Sequence, residues 1–270
     1  MSFTLYNGHQ LPKIGLGTFR TPDGQAVKDA ISAALENGYR NIDTATLYGN
    51  EFGIGEGLKS AGLPRAEFTV TTKVWNTDQG YDGTLKAFDL SQKKLGLDEI
   101  DLYLIHWPIR RTLKDTWRAM ETLYAQGRVK AIGVSNFSID HLNELMDFAA
   151  VKPAVNQIEF HPELQSPELV QFCSDNGILV QAWAPLMRGQ CRQLPVLRRI
   201  AEQHHTTPEA ICLAWIGSQH IMPLPKSSNA QRIKDNIEAL SHTLSASEMD
   251  AIKSIDKGQR LGPSLDHFWK

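Results

Sequence analysis

Residues 101–135 read DLYLIHWPIRRTLKDTWRAMETLYAQGRVKAIGVS, and this stretch decides the fold. It opens with an apolar run, DLYLIH, that is typical of a buried strand. Apolar and small residues then recur at helical spacing, at Leu113, Thr116, Trp117, Met120 and Leu123. The helical pattern stops at Gly127, and a second strand-like run, KAIGVS, follows it. A strand, a helix and a strand in this order predict a parallel βαβ unit.

The same alternation runs through most of the chain. Strand-like runs occur at KIGLG (13–17), RNID (40–43), FTVTTK (68–73), DLYLIH (101–106), KAIGVS (130–135), AVNQIE (154–159), ILVQAWA (178–184) and IMPLP (221–225). Helical patterns separate them, with start signals such as Ser166-Pro167 and Thr207-Pro208. Eight such units predict an α/β fold that closes into a (β/α)8 TIM barrel.

The sequence also predicts two further elements, and one alternative fold must be considered. Asn7-Gly8 between short apolar stretches predicts an N-terminal β-hairpin, and the capping box from Ser245 to Glu248 predicts an extra C-terminal helix. The rival is an open doubly wound sheet, which normally has a glycine-rich loop after its first strand. Here Gly17 is followed by TFR with no third glycine. No linker divides the chain, so we expect residues 1–270 to form one domain.

Composition excludes several classes of protein. The 270 residues carry 28 Lys and Arg against 30 Asp and Glu, a net charge of −2, which does not suit nucleic acid or an anionic membrane. Three sparse cysteines argue against a disulfide framework and favour a reducing compartment. The N-terminus has no leader pattern, and the most apolar stretch, 102–109, is too short and interrupted to span a membrane. We therefore expect a soluble, cytoplasmic protein.

Titratable side chains stand at the ends of successive predicted strands. Asp43 ends RNID, Lys73 ends FTVTTK and His106 ends DLYLIH, while Tyr48 lies in the loop after Asp43. In a closed barrel the carboxyl ends of all strands meet at one mouth, where the active sites of such barrels lie. We therefore expect these four side chains to lie together.

General acid catalysis by a tyrosine, whose pKa the neighbouring residues adjust, is the chemistry that best suits these four side chains. A tyrosine is protonated at neutral pH, and we expect a neighbouring Lys73 ammonium to lower the pKa of Tyr48. Asp43 would hold the ammonium, and His106 would donate a hydrogen bond to a substrate oxygen. Such a set protonates an oxygen that gains negative charge, as a carbonyl does when it receives hydride. Neither a nucleophile elbow nor metal-ligand spacing is present, so we expect no metal.

With these residues in place, the sequence resembles the aldo-keto reductases over essentially its whole length. The segments that carry the resemblance are DTATLYGNE (43–51), TKVW (72–75), DLYLIHWP (101–108), IGVSNF (132–137), NQIE (156–159) and PKSSNAQRIKDN (225–236). The short tail and Trp183 are most similar to the bacterial 2,5-diketo-D-gluconate reductase branch. The resemblance implies NADPH-dependent reduction of aldehydes and ketones, with Tyr48 as the proton donor, Asp43 and Lys73 tuning it and His106 orienting the carbonyl.

The resemblance also implies which residues hold the ligands. For the cofactor they are Gly17, Thr18, Phe19, Asp43, Ser135, Asn136, Gln157, Trp183, Ala184, Leu186, Arg188, Gly189, Lys226, Ser227, Ser228, Arg232, Asp235 and Asn236. For the substrate they are Phe19, Tyr48, Trp75, His106, Trp107 and Phe137. Many members of the family carry Ser at Ala184 and Glu at Asp235, which leaves the affinity for the cofactor open.

Two other functions remain open from sequence. The first is a non-catalytic NADPH-binding redox sensor on the same fold, against which the complete set of Asp43, Tyr48, Lys73 and His106 argues. The second is a barrel isomerase or lyase that uses Lys73 as a Schiff base and needs no nicotinamide. We expect a monomer that acts on a small carbonyl compound, such as a keto sugar like 2,5-diketo-D-gluconate, methylglyoxal or an aromatic aldehyde.

Overall fold

The strands of the computed structural model, which describes residues 2–269, form two sheets. A small antiparallel pair consists of β1 (Ser2–Thr4) and β2 (Gln10–Pro12). Eight parallel strands follow in sequence order, each paired with the next. They are β3 (Leu16–Gly17), β4 (Asn41–Asp43), β5 (Thr69–Val74), β6 (Ile100–Ile105), β7 (Val129–Ser135), β8 (Val155–Glu159), β9 (Leu179–Trp183) and β10 (Met222–Pro223).

The first and last parallel strands meet, so the sheet closes into a barrel. The Gly15 N–H donates to the Pro223 carbonyl at 3.1 Å, and the Gly17 N–H donates to the Pro225 carbonyl at 3.0 Å. A Cβ at Gly17 would lie 2.9 Å from the Leu224 carbonyl oxygen, so this close approach needs a glycine. The predicted (β/α)8 barrel is confirmed, and the open doubly wound sheet is excluded.

Ten α-helices accompany the strands in the described part of the chain, and all but the last two lie between successive strands of the barrel. They are α1 (Gln25–Glu36), α2 (Glu51–Ala61), α3 (Tyr81–Leu95), α4 (Arg110–Ala125), α5 (Ile139–Met146), α6 (Pro167–Asp175), α7 (Pro195–Gln203), α8 (Pro208–Ser218), α9 (Ala230–Glu238) and α10 (Ala246–Lys253). The predicted starts at Ser166-Pro167 and Thr207-Pro208 are confirmed, as is the Ser245–Glu248 capping box of α10. Helix α7 was not predicted. None of the helices within residues 2–269 is long and apolar enough to cross a membrane.

The apolar core has two layers. The larger one lies between the sheet and the helices and includes Trp117 and Trp215. A second layer fills the barrel interior, where Leu102 and Leu104 of β6 pack with Leu5 and Leu11 of the N-terminal hairpin. The hairpin is therefore present as predicted, and its leucines pack on the interior layer.

Candidate active site

A cavity of about 780 Å³ opens at the carboxyl ends of the strands, where the barrel geometry predicts the active site. All the residues predicted to contact the cofactor line it. So do Tyr48 and His106 and, among the residues predicted only for the substrate, Trp75 and Trp107. Lys73 lies beneath the cavity and is fully buried.

Asp43 and Lys73 form a buried ion pair below the cavity floor. The Lys73 Nζ donates to Asp43 Oδ1 at 2.7 Å and to the Thr44 carbonyl at 2.8 Å. Asp43 Oδ2 accepts a hydrogen bond from Gln157 Nε2 at 2.7 Å. Both carboxylate oxygens and the ammonium are thus held in one geometry, because β4, β5 and β8 end at the same level of the barrel.

Tyr48 stands above this pair on a 3-10 turn at Thr46–Tyr48. Its ring centroid lies 5.2 Å from Lys73 Nζ and 5.6 Å from the His106 ring. Burial, together with the negative charge of Asp43, raises the pKa of Tyr48 well above its ordinary value. The predicted lowering of this pKa by Lys73 is not observed, because burial of the phenol has the larger effect.

His106 faces the same space and is neutral. Burial, followed by the charge of Lys73, lowers the pKa of His106 well below its ordinary value. Its ring packs edge-on against Trp75 with centroids 5.0 Å apart, and its backbone carbonyl accepts a hydrogen bond from Asn136 Nδ2 at 2.9 Å. A neutral imidazole has one N–H to donate, so His106 can orient an oxygen without carrying charge into the site.

The polar residues behind Tyr48 form a connected network. Asn136 donates to the Ser135 Oγ at 3.0 Å and accepts from the Trp183 indole N–H at 2.8 Å. Gln157 uses both N–H bonds of its amide, one on Asp43 and one on Gln181 Oε1 at 3.0 Å. Its side chain therefore offers a bound group only its acceptor oxygen. These bonds hold the Trp183 ring and the amides in place.

Two cations line the other end of the cavity. Lys226 follows β10, and Arg232 lies in the first turn of α9, whose start is capped by the Asn229 side chain. Burial and the charge of Arg232 lower the pKa of Lys226. Neither cation forms an ion pair with a carboxylate in the part of the chain that the structure describes. Asp235 is exposed and accepts a hydrogen bond from Gln231 of the same helix at 2.8 Å.

The loop after β9 borders the middle of the cavity in a strained conformation. Ala184, Met187 and Arg188 have φ values of 51°, 52° and 54°, and Gly189 has 90°. Non-glycine residues at positive φ cost free energy and concentrate at ligand-binding loops. The loop turns so tightly that the Gly189 N–H reaches the Leu186 carbonyl at 2.7 Å.

One predicted substrate residue lies elsewhere. The Phe137 side chain is 0% exposed and packs in the sheet–helix core, edge-on to His141. It follows Asn136, whose φ is 65°, and that kink directs the chain away from the mouth. The structure therefore does not support the prediction that Phe137 forms part of the substrate-binding wall.

Several lining residues were not predicted from sequence. Arg192 and Glu209 border the cavity as an ion pair at 3.0 Å. Gly262, Pro263 and Phe268 reach it from the C-terminal segment. The two aromatic residues in the polar tail, Phe268 and Trp269, were the only sequence signal for that contribution. No group of three or more His, Cys, Asp or Glu within residues 2–269 could hold a metal ion.

Comparison with known proteins agrees with this geometry. The model of the "Aldo/keto reductase family" matches residues 13–257. Glyoxal reductase of Bacillus subtilis is 47% identical over 264 residues, which covers 98% of this chain and 96% of that protein. An aldo-keto reductase from a Medee basin deep-sea metagenome superposes with a TM-score of 0.96 at 44% identity, covering 99% of each chain. The Bombyx mori aldo-keto reductase in complex with NADP has a TM-score of 0.91 at 34% identity, covering 98% of this chain and 96% of that one. The chain therefore belongs to the aldo/keto reductase family.

Proposed function

We propose that this protein is an NADPH-dependent reductase of small aldehydes and ketones in which Tyr48 donates the proton. The observation that carries the proposal is the position of Tyr48 and His106 side by side above the buried Asp43–Lys73 pair. One phenol that stays protonated and one neutral imidazole face the same space. That arrangement suits a carbonyl oxygen, which needs two hydrogen-bond donors as it gains charge.

The protein groups have separate tasks in this reaction. His106 orients the substrate oxygen, and Tyr48 transfers its phenolic proton to that oxygen as the negative charge develops. The tyrosinate left behind lies close to the Lys73 ammonium, whose Nζ is 5.2 Å from the ring centroid, and the ammonium charge stabilises it. Asp43 keeps Lys73 charged and fixed in position.

The cavity fits NADPH, which supplies a hydride when bound. Trp183 offers an aromatic face between the polar network and the mouth, and the acceptor oxygen of Gln157 suits a carboxamide N–H. Lys226 and Arg232 are unneutralised cations beside a helix start, which is where a 2′-phosphate would bind. The relative from Bombyx mori was crystallised with NADP, and this supports the same choice of cofactor.

Small α-dicarbonyl compounds are the substrates we favour. The mouth is formed by rings, with Phe19, Trp75, Trp107 and Phe268 around Tyr48. Such a wall offers few groups to bind the hydroxyls of a keto sugar, so we rank methylglyoxal and glyoxal above 2,5-diketo-D-gluconate. A glyoxal reductase is 47% identical to this chain, which supports that order.

A non-catalytic NADPH sensor is the weaker alternative, because a sensor needs no buried Asp43–Lys73 pair aimed at a phenol.

We further propose a monomer in a reducing compartment such as the cytoplasm. The three cysteines are buried free thiols, which supports the reducing compartment.

The test is oxidation of NADPH, followed at 340 nm, with methylglyoxal, glyoxal, 2,5-diketo-D-gluconate and an aromatic aldehyde as substrates. We expect the highest kcat/KM for the two dicarbonyls. Tight binding of NADPH without turnover of any carbonyl would instead support the sensor. No binding of NADPH would contradict both.

A further inference from the structure

The C-terminal segment crosses the mouth of the cavity as an irregular strap, defined here as residues 260–269. Gly262, Pro263 and Phe268 of this strap line the cavity. Phe268 packs edge-on against Trp107 and Trp75, with ring centroids 5.3 and 6.3 Å away. The strap has neither helix nor strand, and its own backbone bonds form two isolated turns, so we expect contacts with the barrel to hold it.

Glu159 is the buried anchor of the strap. It ends β8, its side chain is 0% exposed, and both of its carboxylate oxygens point at the strap backbone. Oε1 accepts from the Leu261 N–H at 2.7 Å, and Oε2 accepts from the Gly262 N–H at 3.2 Å. The Arg260 guanidinium lies 3.7 Å from Oε2, and His161 Nε2 lies 3.4 Å from Oε1.

This environment holds Glu159 as a carboxylate. Burial acts to raise the pKa of Glu159, but hydrogen bonds from His161 and from the Leu261 and Gly262 N–H groups lower it below the ordinary value. Hydrogen bonds to a charged acceptor are about twice as strong as neutral ones. A single buried side chain therefore fixes the start of the strap.

A second anchor lies farther along. His141 Nδ1 accepts the Ser138 N–H of the α5 capping box at 3.2 Å, so its proton is on Nε2, which faces Asp266 Oδ1 at 3.1 Å. The Trp269 ring covers His141 with centroids 4.1 Å apart. Phe268 lies in the chain between Asp266 and Trp269, which both contact His141. We therefore expect the position of Phe268 over the mouth to depend on both anchors, Glu159 and His141.

The first anchor also touches the polar network. A Cβ at Gly262 would lie 2.6 Å from the Trp183 ring, so the strap backbone rests directly on that indole. Trp183 in turn donates to Asn136. Glu159 and Trp183 are the last residues of neighbouring strands and pair in register.

We propose that Glu159 is a positioning residue that holds the strap against Trp183 and so sets the substrate wall at Phe268. The proposal rests on the proposed reductase function, because the wall it sets is that of the carbonyl site. It assigns Glu159 no contact with the substrate.

Glu159→Gln is the direct test, because the amide keeps the size of the side chain but replaces one of the two acceptor oxygens by an N–H₂, which cannot accept from a backbone N–H. Losing one charged hydrogen bond corresponds to roughly a tenfold effect. We expect the KM for methylglyoxal to rise by about that factor while kcat changes by less than about threefold, because the reacting groups are untouched. Hydrogen exchange at residues 260–269, measured by mass spectrometry, should speed up in the same variant.

Glu163→Gln is the matched control. Glu163 also contacts the tail, through an ion pair with Lys257 that lies before the strap. We expect this variant to leave the KM and the exchange of the strap unchanged. Asp266→Asn tests the second anchor and serves as the alternative if Glu159→Gln does not fold, because the Asp266 side chain is 75% exposed. We expect this variant to raise the KM for methylglyoxal by a smaller factor.

An unchanged KM and unchanged strap exchange in Glu159→Gln, or equal effects in Glu163→Gln, would overturn the proposal. A fall in kcat without a rise in KM would also contradict it, since that would give Glu159 a part in the chemical step. If the wild-type protein reduces no carbonyl, the proposed function fails, whereas the exchange measurement still reports whether Glu159 holds the strap.

Discussion

Tyr48→Phe removes the phenolic proton and keeps the ring that packs on Phe19 and His106. We expect the rate of carbonyl reduction to fall about 10²–10⁴-fold, the usual effect of losing a general acid. NADPH affinity, measured by fluorescence titration, should stay within about twofold because no predicted cofactor contact is lost. A variant that keeps more than about a tenth of wild-type kcat would remove Tyr48 from the mechanism.

Lys226 and Arg232 are expected to select NADPH over NADH. Alanine at either position should weaken NADPH about tenfold or more, since charged hydrogen bonds contribute about 1.5–3 kcal/mol each. NADH lacks the phosphate and should bind as before. Titration of both variants with both cofactors checks this, with Lys234→Ala on the exposed side of α9 as the control. Equal losses for the two cofactors would put the phosphate site elsewhere.

For individual residues, the sequence predicted that the four titratable side chains of the site lie together at one mouth, but it did not predict their electrostatics. Asp43, Lys73 and His106 each stand at the end of a strand-like run, and barrel closure alone brings such positions together. The pKa of Tyr48 depends instead on how much water reaches the phenol and on how closely Asp43 sits on Lys73. Both are properties of three-dimensional packing that spacing along the chain does not encode.

Asn50 ties two loops of the mouth together just before α2. Its Nδ2 donates to the Thr18 and Thr21 carbonyls at 3.0 Å each, and its Oδ1 accepts from Thr44 Oγ1 at 2.8 Å. Asn50→Ala would leave these buried groups unpaired, each at a cost of about 1–3 kcal/mol. We expect urea denaturation to show a loss of at least about 2 kcal/mol.

The same substitution should raise the KM for the carbonyl, because the loop that Asn50 holds carries Phe19. Asn176→Ala serves as the comparison, since its side chain makes one local bond to Phe172 at the end of α6, and we expect it to cost about 0.5–1.5 kcal/mol with no change in KM. Similar losses of stability in the two variants would mean that the three bonds of Asn50 contribute no more than the single local bond of Asn176.

Elements with strong local signals were predictable, and those defined by distant contacts were not. Helix α10 has a capping box and α6 begins at a proline, so a few neighbouring residues determine where each helix begins. The strap has no periodicity, because two of its backbone N–H groups bond to Glu159 and the backbone bonds that it makes to itself, within residues 264–269, are isolated turns. Phe137 was misplaced for a related reason, since the positive φ of Asn136 sets the direction of the chain after β7.

Over the whole molecule, the alternation of strand and helix patterns was enough to predict the barrel. Eight parallel strands with helices on one side leave the opposite face of the sheet to be covered, and closure covers it with the interior layer around Leu102 and Leu104. The narrow contact that completes closure, at Gly17 and Leu224, follows from the fold and not from any pattern within either segment.

Buried neutral histidines make the stability of the whole molecule depend on pH. Burial, with the charge of Lys73, lowers the pKa of His106. Burial also lowers the pKa of His141, although the carboxylates of Asp266, Asp140 and Glu144 oppose this. An unfolded histidine titrates near pH 6.5. Below that pH the unfolded chain binds protons that the native protein does not bind, so stability present above pH 6.5 is lost as the pH falls.

We therefore expect the free energy of unfolding, from urea denaturation, to be nearly constant between pH 7.5 and 7.0 and to fall from pH 6.5 to 5.5. Each of the two histidines contributes up to about 1.4 kcal/mol per pH unit. His141→Gln removes one titrating group, and the slope below pH 6.5 should shrink accordingly. Further acid acts in the same direction through Glu159, whose lowered pKa makes its stabilisation of the strap disappear as the carboxylate is protonated. Stability that stayed level or rose between pH 6.5 and 5.5 would mean that these histidines take up protons in the native protein, which their burial argues against.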